Sequence, residues 1–194
     1  MGSDKVILKV LCGSRAYGLA DDDSDYDFHG VFLVPTSELL LVGTPKPKDT
    51  HWIEGGGEDD IAWELGHFLH LSLQCNPTVL DTFVAPIVEA TDEGWELQAL
   101  FPYVLSRTRI RDTFLGYSHN QRKKMFEPKG GVLAGERQWK FACAYLRVLQ
   151  HGAELLRTGS YAPYIASPGI RTILREVKDG AVSLGKVVDL AASM

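Results

Sequence analysis

Two aspartates, Asp25 and Asp27, stand two residues apart at the start of an apolar stretch that ends at Val34. Successive side chains of a β-strand point to opposite faces, so residues two apart share a face. If a strand runs over 25–34, both carboxylates point the same way and repel each other. A hard divalent cation such as Mg²⁺ relieves that repulsion, because it binds one or two carboxylates together with phosphate oxygens. The spacing therefore predicts a metal site.

A Gly-Ser pair, Gly13 and Ser14, follows the apolar run 6–11, whose β-branched residues predict a buried strand. A Gly-Ser turn at a strand end can offer backbone N–H groups and a hydroxyl to a phosphate. We expect these two residues to bind phosphate on the side of the sheet that carries the aspartates. Arg15 follows at once and is a further candidate phosphate ligand, with an ordinary surface charge as the equally supported alternative.

These residues belong to a longer pattern: Gly-Ser-Arg-Ala-Tyr-Gly-Leu at 13–19, Ser-Asp-Tyr-Asp at 24–27 and Gly-Val at 30–31. The pattern resembles the nucleotidyltransferase superfamily typified by DNA polymerase β. Within it, the pattern is similar to a branch of predicted bacterial and phage nucleotidyltransferases that includes an RNA-ligase-associated RNA-repair group. The resemblance implies that Gly13 and Ser14 grip the nucleotide phosphates, and that Asp25 and Asp27 hold the catalytic metals.

Members of this superfamily carry a third carboxylate on a later strand, which helps to bind the metal and can draw the proton from the attacking hydroxyl. Strand alternation puts Asp60 and Glu64 on one face, and Asp60 is the favoured candidate for both metal and catalytic roles. For Glu64, an acid at a helix N-terminus is an equally supported role. The helical spacing of apolar residues after Trp63 predicts a helix that begins near Ala62, which would leave only Asp60 on the strand.

The resemblance implies a metal-dependent nucleotidyltransferase that moves an NMP from an NTP to an acceptor hydroxyl and releases pyrophosphate. The acceptor would be an RNA or tRNA end or a protein. The implied cofactors are Mg²⁺, or Mn²⁺ in its place, and an NTP, for which ATP is the expected substrate. The alternative is a catalytically degenerate nucleotide-binding or regulatory module of the same fold. A third hypothesis is a pure interaction protein with no affinity for NTP or Mg²⁺.

The chain as a whole predicts an α+β fold: a small mixed β-sheet with flanking helices, followed by a C-terminal helical bundle. We expect the nucleotidyltransferase catalytic core over 1–90 and the helical domain over 91–194. Helical patterns are predicted over 109–126, with an interruption at Gly116, and over 135–157.

A basic segment, residues 106–129, contains seven Lys or Arg and two Asp or Glu, in a chain whose net charge is -5. It could bind a triphosphate or an RNA or protein acceptor, and a solvated helix face is the equally supported alternative. On the long helix, Lys140 and Arg147 are seven residues apart and share a face. They match a Lys…His…Arg pattern of the family branch, which implies phosphate binding, although Ala144 takes the place of the His.

Length, composition and cysteine content indicate which broad class of protein the chain belongs to. A 194-residue chain with 45% hydrophobic and 23% charged residues is typical of globular protein, as one larger domain or two small ones. Its three cysteines are far apart and odd in number, so they form neither a disulfide framework nor a metal-spacing motif. No signal peptide and no apolar run of membrane-spanning length is visible. A cytoplasmic protein without a membrane partner is expected.

Overall fold

The structure, a computed structural model, describes residues 5–43, 50–51, 60–127 and 135–194. The chain divides into two compact units, Met1–Leu105 and Ser106–Met194. The first unit contains a mixed β-sheet with flanking helices, and the second is helical. This confirms the predicted α+β fold class. The division into a catalytic core over 1–90 and a helical domain over 91–194 stays a prediction.

The sheet lies in the first unit. Its strands in the described residues are β1 (Lys5–Cys12), β2 (Asp27–Leu33), β3 (Thr50–His51), β4 (Ile61–Glu64) and β5 (Ile87–Ala90). Their spatial order is β3-β4-β2-β1-β5. The central strand, β2, pairs antiparallel with β1 and parallel with β4, and the outer pairs are antiparallel. The sheet is therefore mixed, and Asp27 begins its central strand.

The predicted strand over 25–34 starts later in the structure. Strand β2 begins at Asp27, and Asp25 lies in the loop that leads into it. The last residue of β1, Cys12, pairs in register with Asp27, so Asp25 has no strand residue opposite it. The placement of Asp27 on a central strand is confirmed, and the placement of Asp25 on the same strand is wrong.

The flanking helices of the first unit, in the described residues, are α1 (Gly13–Tyr17), α2 (Thr36–Leu39), α3 (Leu65–Leu73), α4 (Pro77–Val84), α5 (Asp92–Ala99) and α6 (Phe101–Val104). The prediction that a helix begins near Ala62 is wrong, because β4 continues to Glu64 and α3 begins at Leu65. Parallel pairing with β2 keeps this segment extended: Ala62 lies opposite Gly30, and Glu64 lies opposite Phe32.

Helices α3 and α4 cover the sheet face that carries Asp27. The ring centroids of Trp63 on β4 and Phe68 on α3 are 6.1 Å apart, and those of Phe68 and Phe83 on α4 are 4.8 Å apart. The β1 residues of this face are all buried: Leu8, Val10 and Cys12. Because His29 and Asp27 pair in register with Val10 and Cys12, they belong to the same face. Asp27 thus lies at the edge of a packed core.

The described part of the second unit consists of α7 (Arg107–Phe126), α8 (Gly135–Thr158), α9 (Pro168–Lys178) and α10 (Leu184–Ala192). Helix α8 packs against the other three. The predicted interruption at Gly116 is wrong, since α7 runs through it without a break. A glycine at an exposed helix position lowers helix propensity without ending the helix. The described residues contain no helix that is both long and apolar enough to cross a membrane.

Alanine substitutions at two helix glycines should change the stability of the protein in opposite directions. A Cβ at Gly94 of α5 would overlap the backbone oxygen of Ile7 on β1, whereas a Cβ at Gly116 would meet nothing within 4 Å. Gly94→Ala should lower the free energy of unfolding by about 2 kcal/mol through overpacking. Gly116→Ala should raise it by up to about 1 kcal/mol through helix propensity. Urea denaturation measures both, and a Gly94→Ala protein as stable as the wild type would contradict the close approach of α5 to β1.

Candidate active site

Gly13 turns the chain at the end of β1, directly beside Asp27. Its φ of +65° lies in the left-handed region that glycine adopts at low cost. A Cβ at this position would overlap Oδ2 of Asp27. The carboxylate of Asp27 therefore occupies the space that any other side chain at position 13 would need. The predicted phosphate turn and one predicted metal carboxylate lie against each other.

Ser14 lies in the first turn of α1, a helix of five residues that ends at Gly18. Gly18 takes a φ of 75°, and its N–H donates to the backbone oxygens of Ser14 and Arg15. The N–H groups in the first turn of a helix have no acceptor within the helix. Together with the Ser14 hydroxyl, they are the phosphate donors that the sequence predicts at this turn.

Arg15 holds the loop that leads from α1 to the aspartates. Its Nε and Nη2 donate to the backbone oxygen of Ser24, at 3.2 and 2.7 Å. Its guanidinium carbon lies 4.0 Å from the centroid of the Tyr26 ring. Because Ser24 and Tyr26 flank Asp25, Arg15 contacts the residue on each side of this aspartate, through the backbone oxygen of Ser24 and the ring of Tyr26. Phosphate binding by Arg15 stays a prediction.

Three aspartates, Asp25, Asp27 and Asp60, lie near the start of β2 in different surroundings. Asp25 is exposed and Asp27 is half-buried. Asp60 is only 1% exposed, and its Oδ1 accepts a hydrogen bond of 2.8 Å from the N–H of Phe28. That N–H belongs to the peptide that joins Asp27 to Phe28, so the Asp60 carboxylate lies one peptide away from Asp27.

The carboxylates fit a metal that takes most of its ligands from its substrate. Among the described residues, no group of three or more His, Cys, Asp or Glu side chains is arranged as a complete metal site. Mg²⁺ does not require such a cage, because one or two carboxylates suffice when phosphate and water oxygens supply the rest. Asp27 touches the Gly13 turn, where a phosphate would lie, so a carboxylate and a phosphate could share one cation there.

Glu64 has a structural role at the start of α3. It is the N-cap residue of this helix, and its Oε2 accepts a hydrogen bond of 2.9 Å from the N–H of His67. The predicted alternative for Glu64, an acid at a helix N-terminus, is confirmed. One carboxylate oxygen of Glu64 is thus bonded to the helix, just as one carboxylate oxygen of Asp60 is bonded to the Phe28 N–H. Asp60 as the third carboxylate of the site stays a prediction.

His29 is a residue of this region that the sequence analysis missed. It follows Asp27 on the same face of β2, and its Nδ1 lies 2.9 Å from the Thr82 hydroxyl of α4. Its ring meets the Trp63 ring edge-on at 5.1 Å. The spacing of Asp25, Asp27 and His29, each two residues from the next, was the signal that could have identified it.

Burial makes His29 a neutral side chain at neutral pH. Desolvation lowers the pKa of His29 from 6.5 to about 4, although the charges of Asp81 and Asp60 act in the opposite direction. Asp81 is itself buried in α4, where it accepts a hydrogen bond of 2.9 Å from the hydroxyl of Tyr17 on α1. This bond ties α1 to α4, a helix that covers the sheet.

The predicted phosphate ligands Lys140 and Arg147 lie on α8, in the second unit. Lys140 is exposed and Arg147 is half-buried, and the continuous helix puts both on one face. Burial raises the pKa of the Cys143 thiol, and the charge of Arg147 partly opposes that shift. Phosphate binding by Lys140 and Arg147 stays a prediction.

The described cations of the basic segment 106–129 lie on α7 and are exposed. Some have partners within the second unit: Arg107 donates to the Leu156 backbone oxygen, Arg111 pairs with Asp112, and Lys123 pairs with Glu127. Exposed pairs of this kind contribute little to stability and compete weakly with a polyanion. Lys129 lies outside the described residues. A role for this segment in binding the acceptor stays a prediction.

A protein-family model matches the chain over residues 3–179: RlaP, the RNA repair pathway DNA polymerase beta family. The chain belongs to this family. The match includes the Gly13 turn and the three aspartates, and it extends through α9 in the second unit. No curated protein and no solved structure gives a significant match to the chain. The resemblance inferred from the sequence motif is confirmed: this is a polymerase-β-like member of a family that acts in an RNA repair pathway.

The environment of His29 predicts that the protein, without divalent metal, becomes less stable in acid. Its pKa of about 4 in the folded protein lies below the 6.5 of a solvated histidine, so the unfolded chain takes up the proton first. The contribution of neutral His29 to the free energy of unfolding is complete above pH 6.5. It is lost as the pH falls towards 4, by on the order of 3 kcal/mol. Urea unfolding over a pH series should show this loss, and His29→Gln should reduce it. A His29 ring that titrates near pH 6.5 by NMR would contradict the prediction.

Proposed function

We propose that the protein is a metal-dependent nucleotidyltransferase that transfers an NMP from an NTP, with ATP expected, to a hydroxyl at an RNA end. The observation that carries this proposal is the contact between Gly13 and the carboxylate of Asp27. It puts the turn that we propose to bind phosphate beside the carboxylate that we propose to bind metal. Membership of an RNA repair family favours an RNA end over a protein side chain as the acceptor.

The site residues divide between substrate binding and metal binding. Gly13 and Ser14 would bind the β- and γ-phosphates, and Asp25 and Asp27 would hold Mg²⁺, or Mn²⁺ in its place. When bound, the metal lowers the pKa of the acceptor hydroxyl and neutralises charge on the leaving pyrophosphate. The protein holds the phosphates and the hydroxyl in line. Such positioning and charge stabilisation supply most of the rate enhancement in chemistry of this kind.

In the proposed reaction, the acceptor oxygen attacks the α-phosphorus and the bond to the bridging oxygen breaks. Pyrophosphate leaves with the electron pair of that bond. Asp60 is the proposed acceptor of the hydroxyl proton, because its carboxylate lies one peptide from Asp27. Additional phosphate contacts are proposed for Arg15, Lys140 and Arg147.

A nucleotide-binding module without transfer activity is the alternative, and one observation favours it. Asp60 is buried and already accepts a backbone hydrogen bond, as a purely structural aspartate would. Release of pyrophosphate from ATP, dependent on metal and RNA, distinguishes the two functions.

Asp25→Asn and Asp27→Asn should each abolish transfer without unfolding the protein. Each substitution keeps the shape of the side chain and removes one negative charge near the start of β2, so the melting temperature without metal should stay the same or rise slightly. The wild type should gain stability from Mg²⁺ plus ATP, and both variants should lose that gain. Thermal melts measure this, with Asp189→Asn, an exposed aspartate of α10, as the matched control. If the wild type gains nothing from Mg²⁺ plus ATP, the aspartate pair is not a metal site.

Asp60→Asn and Glu64→Gln should separate catalysis from helix capping. Asp60→Asn removes the proposed proton acceptor and should lower turnover by about 10³-fold or more. Glu64→Gln should keep turnover and lose up to about 1 kcal/mol of stability, since a neutral cap interacts less well with the helix N-terminus. ATP turnover and urea unfolding are measured on both variants. An inactive Glu64→Gln beside an active Asp60→Asn would reverse the assignment.

A further inference from the structure

The sheet face opposite to Asp27 carries a row of aromatic and cationic side chains. Tyr26 and Phe28 alternate with Asp27 along the chain, and their rings are nearly parallel, 6.4 Å apart at 17°. On β1, Lys9 belongs to this face because its neighbour on the face, Leu11, pairs in register with Phe28. We call Tyr26, Phe28, Lys9 and Arg15 the aromatic platform.

Each ring of the aromatic platform has a cation beside its face. The Arg15 guanidinium lies 4.0 Å from the Tyr26 centroid, and the Lys9 ammonium lies 4.5 Å from the Phe28 centroid. Glu89 of β5 lies opposite Lys9 in the sheet register. Among the described residues, neither Lys9 nor Arg15 forms an ion pair with a carboxylate. Both side chains therefore place positive charge at this surface, although two N–H groups of Arg15 already donate to the backbone oxygen of Ser24.

The aromatic platform is accessible at its Tyr26 end. Tyr26 is 60% exposed, and Phe28, Lys9 and Arg15 are partly exposed. Towards β4, the same face is buried and contains a small cluster of side chains that includes Phe32 and Ala62. A single exposed aromatic residue is ordinary on a protein surface. Adjacent rings with cations beside them are how sheet surfaces bind single-stranded nucleic acid, because bases stack on the rings and phosphates meet the cations.

We propose that the aromatic platform binds the single-stranded end of the acceptor RNA, with a base stacked at Tyr26 and a phosphate beside Lys9. This inference rests on the proposed function, since it supplies the acceptor to that site. Tyr26 lies between Asp25 and Asp27 in the chain but on the face opposite to Asp27, so the RNA end would pass around the loop at Asp25 to reach the proposed metal site. The substrate class is an RNA with an unpaired end, because a blunt duplex keeps its bases stacked on each other.

The test is binding of a fluorescein-labelled single-stranded RNA of about 12 nucleotides, followed by fluorescence anisotropy without metal or ATP. Tyr26→Ala should raise the Kd by about tenfold or more, the size expected for loss of one stacked base. Tyr26→Phe keeps the ring and should bind as the wild type does. Tyr103→Ala removes a tyrosine that is 83% exposed on α6 and serves as the matched control with unchanged binding.

A second variant tests the cationic part independently of the ring. Lys9→Met removes one proposed phosphate contact while keeping an unbranched apolar side chain over Phe28. The slope of log Kd against the logarithm of the salt concentration should fall by about 1, as expected for the loss of one phosphate contact. An unchanged salt slope for Lys9→Met, together with unchanged affinity for Tyr26→Ala, would overturn the proposal. Equal affinity for a blunt duplex of the same sequence would also overturn it.

Melting with Mg²⁺ plus ATP, measured on the same variants, separates this proposal from the proposed function. RNA binding that depends on Tyr26, in a protein that Mg²⁺ plus ATP does not stabilise, would support the aromatic platform and contradict the proposed function. Stabilisation by Mg²⁺ plus ATP without RNA binding would do the reverse. If Tyr26→Ala loses the ATP effect and keeps RNA affinity, the ring serves the nucleotide and the proposal is wrong.

Discussion

The close approach of Gly13 and Asp27 is the constraint on which the rest of the site depends. Strands β1 and β2 pair so that Cys12 lies opposite Asp27, and the chain must then turn immediately beside a carboxylate. Only a residue without a side chain, in the left-handed conformation, leaves room for Oδ2 of Asp27. The antiparallel pairing of β1 with β2 thus sets the distance between the Gly13 turn and the carboxylate of Asp27.

The central position of β2 gives the sheet two chemically different faces. One face carries Asp27 and then His29, and it is covered by α3 and α4 beyond the aspartate. The other carries Tyr26 and Phe28 with cations beside them. Because alternation is a property of any strand, acidic and aromatic residues that are neighbours in the chain are separated onto opposite surfaces. A metal-bound nucleotide and an RNA strand could therefore approach the same strand from different sides.

The acidic residues near the site differ in role because they differ in burial and hydrogen bonding. Asp60 is buried, and a buried carboxylate requires hydrogen-bond partners, one of which is the Phe28 N–H. Glu64 lies only four residues later, but its carboxylate caps α3. Asp25 is exposed, as a carboxylate that exchanges a metal and a substrate with solvent would be. Residue type alone does not distinguish these roles.

The sequence by itself determined the family, the mixed α+β fold class and the positions of the main elements, because these follow from local patterns. The Gly-Ser turn, the Asp25–Asp27 spacing and the apolar periodicity each lie within a short stretch of chain. Tertiary structure decided what depends on residues far apart. Strand β2 starts at Asp27 because Cys12 is the last residue able to pair with it. The helix after β4 starts at Leu65 because pairing with β2 keeps the preceding residues extended. His29 is neutral because α4 and Trp63 remove it from water, and burial of this kind has no signature in the local sequence.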